Sequence, residues 1–175
     1  MLNKDEFDLI CTSPPYAYAI DYARVHQLST LLFIMQNEEL RKHRKRYIGR
    51  DRISITGKLG EFTGFESIKE ELTNIYNLNK KYALIAYNYF KDINSVTNNM
   101  FSYLKEEGKL VYIVGNSNIK KTDIKVHELY KEICTNAGFK FVKQLERPYY
   151  MYRMARKRNI QSDVIKSDIF LIFEK

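Results

Sequence analysis

The sequence lacks several features that would place it in well-known classes of protein. It has only two cysteines, Cys11 and Cys134, which lie far apart and match no metal-binding spacing. Thiols in such a pattern are expected to stay reduced, as they are in the cytosol. No segment approaches about 18 consecutive apolar residues, and the N-terminal MLNKDEF has no apolar run of the kind that a signal peptide needs. We therefore expect a soluble, cytoplasmic protein with no membrane association and no bound metal.

Positive charge is in excess. Lysine and arginine number 29 against 21 aspartate and glutamate residues, which gives a formal net charge of +8 and a pI near 9.3. This excess favours a polyanionic partner such as nucleic acid, although an ordinary basic protein fits the composition about equally well. At 175 residues, 45% of them hydrophobic, the chain suits one compact domain, 1–175, and is too short for two.

The N-terminal third predicts a strand, a helix and a long excursion. An apolar run at 7–12 indicates a buried strand. The apolar residues after it recur at helical spacing and are Leu28, Leu31, Leu32 and Met35. Residues 37–65 are charged and contain several glycines without periodicity, which indicates a long basic surface excursion.

The remainder predicts further helices and strands. A long helix is expected over 80–105, because its apolar residues follow one face, and Gly108 is expected to end it. A second helix is expected over 125–137, with Thr122 or Asp123 as its N-cap and Gly138 as its terminating glycine. Strands are predicted at 109–114, 139–145 and 169–175. This is an α/β pattern with a parallel core, in which the last two strands lie too close for a crossover helix.

The sequence Ser13-Pro14-Pro15-Tyr16 follows the first strand directly. Two prolines stiffen the turn and remove two N–H donors, so that carbonyl acceptors remain beside an aromatic ring. In open α/β sheets the ligand crevice lies beyond the carboxyl ends of the strands, where this loop and residues 115–118 are both expected. The competing interpretation is that the prolines merely stop the strand and Tyr16 packs in the core.

The stretch LICTSPPY, residues 9–16, resembles the catalytic loop of DNA methyltransferases that methylate exocyclic amino groups. It is most similar to the Thr-Ser-Pro-Pro-Tyr subgroup associated with cytosine N4. The resemblance implies a partial Rossmann-like fold, the catalytic half with a mixed sheet of about four strands, and S-adenosylmethionine as methyl donor to DNA. It also implies that the Ser13 hydroxyl and the Pro14 carbonyl hold the amino group, while Tyr16 stacks on the extruded base.

The cofactor-binding part of that family has no counterpart here. Its Phe-x-Gly-x-Gly loop and the acidic residue for the ribose are both missing from the sequence, so no cofactor-binding residues are assigned. We expect S-adenosylmethionine to bind only with a cofactor-binding half from a partner, and the chain to be either a homo-oligomer or the partner of a second polypeptide that carries this half. A split enzyme, a truncated one and a degenerate remnant all remain open, and the strand at 7–12 is expected to expose an unpaired edge.

Two basic segments are candidates for DNA binding, and three other residues are candidates for the border of the site. The basic candidates are Arg41, Lys42, Arg44, Lys45, Arg46, Arg50, Arg52, Arg153, Arg156, Lys157 and Arg158. A solvated helix end and a loop covering the sheet edge explain these two segments nearly as well. Asp21 could position the catalytic loop, while Asn116 and Ser117 either border the site or form a strand-ending turn. His26 and His127 are interpreted as ordinary surface or core histidines.

The expected activity is methyl transfer to an exocyclic amino group of DNA, with cytosine N4 favoured. Related Pro-Pro-Tyr loops also serve adenine N6, RNA and protein amides, so these acceptors remain alternatives. A noncatalytic nucleic-acid-binding or assembly subunit is the alternative from another class.

Overall fold

The computed structural model describes residues 4–16, 25–33, 47–48, 64–150 and 166–175. The helices in these ranges are α1 (Gln27–Phe33), α2 (Lys69–Leu78), α3 (Lys80–Tyr103) and α4 (Val126–Asn136), and a 3-10 turn spans Glu66–Ile68. The strands are β1 (Phe7–Thr12), β2 (Leu104–Val114), β3 (Ser117–Ile119), β4 (Thr122–Ile124), β5 (Lys140–Pro148) and β6 (Ser167–Glu174).

Four of the strands form one mixed sheet in the order β1-β2-β6-β5. β1 and β2 are parallel, whereas β6 runs antiparallel to both of its neighbours. The predicted α/β fold with a mixed sheet of about four strands is thus confirmed. Val114 at the end of β2 pairs with Ile169 near the start of β6, and Pro148 at the end of β5 pairs with Ser167. The ends of β1, β2 and β5 and the start of β6 therefore lie together at one end of the sheet.

The helices α3 and α4 pack against one face of this sheet. In β2 the buried residues Leu110, Tyr112 and Val114 alternate with half-buried ones, as expected for a strand that is covered more completely on one face. The Tyr112 ring meets the Tyr130 ring of α4 edge to face, with centroids 4.9 Å apart. The Tyr112 hydroxyl lies 2.8 Å from the Thr97 hydroxyl of α3, so this deeply buried polar group is satisfied.

The long helix α3 begins where the sequence predicts but does not end at Gly108. The side chain of Asn79 caps its first turn by accepting hydrogen bonds from the backbone N–H groups of Lys81 and Tyr82. Leu104 is already extended and begins β2. Gly108 lies within β2, at an irregularity where a Cβ atom would approach the Lys105 carbonyl oxygen to 2.7 Å. The prediction was wrong because this glycine serves a close backbone approach inside a strand.

A two-stranded hairpin, β3 with β4, replaces the predicted turn and cap before α4. Thr122 and Asp123 lie in β4, and the Asp123 carboxylate accepts a 2.6 Å hydrogen bond from the Asn118 side chain. Neither of them caps α4, whose N-cap position is Lys125 without a side-chain hydrogen bond. That prediction was wrong, whereas the helix itself is confirmed.

The end of α4 follows the prediction. Gly138 has a φ of +105°, its N–H bonds the Thr135 carbonyl at 3.0 Å, and the Phe139 N–H bonds the Cys134 carbonyl at 2.9 Å. These two bonds form a Schellman motif, which favours glycine at the left-handed position.

Helix α2 and the turn before it were not predicted. Ile68, Leu72 and Ile75 are fully buried at spacings of four and three residues, a helical pattern in the sequence that would have revealed them. The Glu132 carboxylate of α4 accepts hydrogen bonds from the backbone N–H groups of Glu66 and Ser67, both at 2.9 Å. These contacts attach the turn and α2 to the rest of the core.

β1 is an edge strand as far as the described residues extend, since only β2 pairs with it. Its register places Leu9 opposite Lys109 and Cys11 opposite Val111, so Leu9 and Cys11 share the face of the sheet that α3 and α4 do not cover. Leu9 is 57% exposed. Most of the excursion predicted at 37–65 lies outside the described residues.

Candidate active site

A narrow cleft lies beyond the carboxyl ends of the two parallel strands. It contains about 170 Å³ of empty space, part of which is open solvent, and no interior volume that would hold a water molecule. β1 contributes the loop that follows it, and β2 contributes its last residue and the following glycine. The lining residues are Pro14, Pro15, Tyr16, Tyr89, Val114, Gly115, Val126 and Tyr130. The structure therefore brings the Pro-Pro-Tyr sequence and the distant Gly115 to one place.

The Ser-Pro-Pro-Tyr loop presents polar groups that the described protein does not use. Ser13 is exposed, while Pro14, Pro15 and Tyr16 are half-buried. No hydrogen bond joins the Ser13 hydroxyl or the Pro14 carbonyl to another described residue. A hydroxyl and a carbonyl one residue apart are thus available as acceptors for an incoming N–H donor.

The Pro15 carbonyl, in contrast, is engaged. It accepts a 2.6 Å hydrogen bond from the hydroxyl of Tyr89 on α3, and the Tyr89 hydroxyl lies 2.8 Å from that of Tyr130 on α4. Burial raises the pKa of Tyr130 well above its ordinary value, and the neighbouring Tyr89 hydroxyl raises it further. Tyr130 is therefore neutral and protonated throughout the physiological range. Sequence reasoning treated Tyr89 only as an apolar residue of the helix face.

A second polar cluster lies at the same end of the sheet as the cleft, on the hairpin of β5 and β6. Asp168 is 5% exposed, and its carboxylate accepts hydrogen bonds from Arg147, at 2.5 Å, and from the Tyr149 hydroxyl. The pKa of Tyr149 is raised by burial first, then by the hydrogen bond to Asp168 and by the adjacent Tyr16 hydroxyl. Hydrogen bonding to Asp168 likewise raises the pKa of Arg147. Tyr16 is therefore next to this cluster, in which neither Arg147 nor Asp168 was predicted as a site residue.

Asn116 and Ser117 occupy different positions. Asn116 is exposed, and its Oδ1 lies 2.8 Å from Nδ1 of His127, the neighbour of the cleft residue Val126. Ser117 is buried in β3 and is not among the residues that line the cleft. His127 has a second neighbour, Glu128, with Nε2 3.2 Å from the carboxylate. Burial is the main cause that lowers the pKa of His127, and Glu128 opposes it.

The remaining predicted site residues lie outside the described part of the chain. These are Asp21 and all the basic candidates: Arg41, Lys42, Arg44, Lys45, Arg46, Arg50, Arg52, Arg153, Arg156, Lys157 and Arg158. Over the described ranges, no cluster of three or more histidine, cysteine, aspartate or glutamate side chains is arranged to hold a metal ion. No helix in the same ranges is long and apolar enough to cross a membrane.

Comparison with known proteins gives likeness of architecture only. No family model matches the chain, and no curated protein does. Among solved structures, the candidate DNA modification methylase TTHA0409 of Thermus thermophilus, complexed with S-adenosyl-L-methionine, has 14% sequence identity and a TM-score of 0.48. A second structure of the same protein has 13% identity and a TM-score of 0.48.

These alignments cover 99% of this chain and 49% or 48% of the other, so the chain spans about half the length of the solved structures that it matches. A selenomethionine derivative of the same protein aligns over 50% of this chain and 37% of its own, with 17% identity and a TM-score of 0.40. All three TM-scores lie below 0.5.

Proposed function

We propose that the chain is the catalytic half of a DNA methyltransferase that methylates an exocyclic amino group, with cytosine N4 as the favoured target. The observation that carries this proposal is the position of the Thr-Ser-Pro-Pro-Tyr sequence. It follows a parallel strand and lines a cleft at the end of the sheet where open α/β folds bind ligands. Its Ser13 and Pro14 acceptors are not engaged by any other described residue.

These acceptors suit the chemistry of an aromatic amino group. Its nitrogen is a poor nucleophile because the lone pair is delocalised into the ring. Acceptors that bind the two amino hydrogens favour a more localised lone pair and fix its direction. In this proposal the Ser13 hydroxyl and the Pro14 carbonyl accept hydrogen bonds from the two amino hydrogens.

Tyr16 supplies a ring for the base. Extrusion of a base from duplex DNA costs a few kcal/mol, and stacking on an aromatic side chain, worth about 1–3 kcal/mol, offsets part of this cost. The adjacent Tyr149 and Asp168 give Tyr16 a fixed neighbour at this end of the sheet.

The residues present do not fit a complete cofactor site. S-adenosylmethionine would supply the methyl group, but the loops after β1 and β2 carry Ser-Pro-Pro-Tyr and Gly-Asn rather than a glycine-rich loop and a ribose carboxylate. Within the described residues β1 pairs only with β2, and Leu9 is 57% exposed, which supports the proposal that a second half pairs there. That half would come from a second polypeptide, whereas another copy of this chain pairing there would bring no cofactor site.

The decisive experiment is methyl transfer by a reconstituted complex. The chain is combined with a polypeptide that carries a Gly-x-Gly strand–loop–helix unit, duplex DNA and labelled S-adenosylmethionine, and the nucleosides are identified by mass spectrometry. Detection of N4-methylcytosine supports the proposal. Detection of N6-methyladenine instead would support amino-group methylation with adenine N6, not cytosine N4, as the target. DNA binding without methylation by any complex would instead favour the noncatalytic subunit.

A calorimetric titration of the chain alone complements this experiment. We expect no stoichiometric binding of S-adenosylmethionine, and a stoichiometric micromolar site would refute the split between two halves.

A further inference from the structure

Tyr89 connects the long helix to the candidate catalytic loop. Its side chain is 3% exposed, and its hydroxyl bonds the carbonyl oxygen of Pro15, 74 residues away in the sequence, at 2.6 Å. Tyr130, fully buried on α4, lies behind it at 2.8 Å. The loop is thus tied to two helices through a pair of buried hydroxyl groups.

The direction of these hydrogen bonds follows from the groups involved. A carbonyl oxygen only accepts, so the single Tyr89 proton is used for Pro15. The Tyr130 hydroxyl must then donate to the Tyr89 oxygen. The resulting chain runs from Tyr130 through Tyr89 to Pro15 and leaves no hydroxyl proton of the pair unused.

This bond restrains a torsion that the prolines leave free. The rings of Pro14 and Pro15 fix φ at both residues, and a residue before proline is restricted to extended conformations, which applies to Ser13 and Pro14. The first torsion without such a restriction is ψ of Pro15, which sets the direction in which Tyr16 leaves the loop. A hydrogen bond to the Pro15 carbonyl fixes the orientation of this same peptide unit, because the peptide group is planar.

We propose that Tyr89 is a positioning residue, which fixes the Pro15–Tyr16 peptide and so holds the Tyr16 ring and the Pro14 carbonyl in their relative orientation. The role in methyl transfer rests on the proposed function, whereas the restraint on the loop does not. In this proposal Tyr89 does not itself contact the base, because its hydroxyl donates to Pro15 and accepts from Tyr130.

The loop restraint can be measured without any enzymatic activity. The sequence has two Pro-Tyr pairs, Pro15-Tyr16 and Pro148-Tyr149, because Pro14 is followed by another proline. Labelling proline carbonyls with ¹³C and tyrosine amides with ¹⁵N therefore gives two carbonyl–amide NMR signals, and the Pro148 signal is an internal reference. Tyr89→Phe removes the bond to Pro15, whereas Tyr130→Phe leaves it in place and serves as the matched control.

We expect Tyr89→Phe to shift the Pro15 carbonyl signal upfield and broaden the Tyr16 amide signal, with the Pro148 carbonyl signal unchanged. Tyr130→Phe should cause a much smaller change at Pro15. Equal effects of the two variants, or no effect at Pro15, would overturn the proposal. If Tyr89→Phe does not fold, the double variant Tyr89→Phe/Tyr130→Phe, which leaves no buried hydroxyl without a partner, replaces it.

The reconstituted enzyme provides the second measurement. Tyr89→Phe should lower kcat about tenfold or more while KM for DNA stays within about twofold, because the affected orientation matters mainly in the transition state. A loss confined to KM would contradict positioning. If the NMR shift appears but the wild-type complex has no methyltransferase activity, the loop restraint stands and the proposed function fails. If the wild-type complex is active and Tyr89→Phe is as active, the positioning role fails.

Discussion

The Tyr149 hydroxyl donates a hydrogen bond to the buried carboxylate of Asp168. Tyr149 follows β5 and Asp168 lies at the start of β6, so this bond closes the end of the hairpin near the Ser-Pro-Pro-Tyr loop. Arg147 binds the second carboxylate oxygen. A buried carboxylate with two donors is expected to matter for stability, because the loss of its charge affects both bonds at once.

The first prediction is that Asp168→Asn lowers the free energy of unfolding by about 1–3 kcal/mol, the range for hydrogen bonds to charged groups. Urea titration measures this change. Glu146→Gln is the matched control: Glu146 is an exposed residue near the end of β5, its carboxylate accepts a bond from Ser167, and the variant should stay within about 0.5 kcal/mol of the wild type. Similar losses for the two variants would show that Asp168 has no special role.

The second prediction concerns His127 and acid stability. Burial lowers its pKa below 6.5, so the unfolded chain binds this proton at a higher pH than the folded chain does. Below pH 6.5 the unfolded state therefore holds more protons, and the His127 contribution to stability declines as the pH falls. The stability advantage of the wild type over His127→Gln should shrink between about pH 7 and pH 5, as measured by urea titrations at each pH. An advantage that stays constant or grows toward acid pH would contradict it.

The local elements could largely be predicted from the sequence, because apolar periodicity and terminating glycines act over a few residues. Gly138 is an example, since its left-handed conformation is needed where the sequence places it. The β3–β4 hairpin was missed because its turn has Lys120 and Lys121 at positive φ, where asparagine and glycine are the usual signal. Lysine in this conformation carries no sequence signature.

The candidate site likewise has one part that the sequence reveals and one part that it does not. Ser13 to Tyr16 could be recognised because four adjacent residues carry the motif. The bonds from Tyr89 to Pro15 and from Arg147 to Asp168 depend on the packing of α3 against the loop and on the insertion of β6 between β2 and β5. Such pairings link residues that are distant in sequence, and neither partner has a pattern that reveals the other.

The third prediction separates catalysis from binding in the loop. In a reconstituted enzyme, Ser13→Ala and Tyr16→Ala should each lower methyl transfer far more than DNA affinity, because phosphate contacts supply most of the affinity. Initial rates and equilibrium binding are measured on the same duplex. Ser102→Ala is the control. Ser102 lies near the end of α3, at the end of the sheet opposite the cleft, and among described residues its hydroxyl bonds only the Asn99 carbonyl. Wild-type rates in both loop variants would exclude the loop from catalysis.

The fourth prediction concerns the basic segments. If they contact phosphates, DNA affinity should fall steeply with salt, and the slope of log K against log salt should decrease by about 0.9 for each contact removed. Arg156→Gln/Arg158→Gln should flatten this slope. Lys4→Gln/Lys105→Gln removes the same amount of charge near the start of β2, where Lys105 pairs with Asp8 at 2.8 Å. This pair of substitutions should leave the slope unchanged. Equal slopes for both pairs would mean that net charge alone governs binding.

The last prediction concerns the open edge of β1. Within the described residues this strand pairs only with β2, and its apolar residues include the exposed Leu9. An unprotected apolar edge recruits another strand, so we expect the chain to self-associate or to bind its second half there. Sedimentation at micromolar concentration and hydrogen exchange at residues 7–12 measure association and protection of the edge.

Leu9→Lys should weaken that association, since charge on an edge strand opposes pairing. Leu78→Lys provides the control, because Leu78 is similarly exposed, at 64%, at the end of α2 and away from the edge. A wild-type monomer whose residues 7–12 are protected by crosslinkable contacts with residues 37–65 would refute the prediction, because the edge would then be covered by the chain itself.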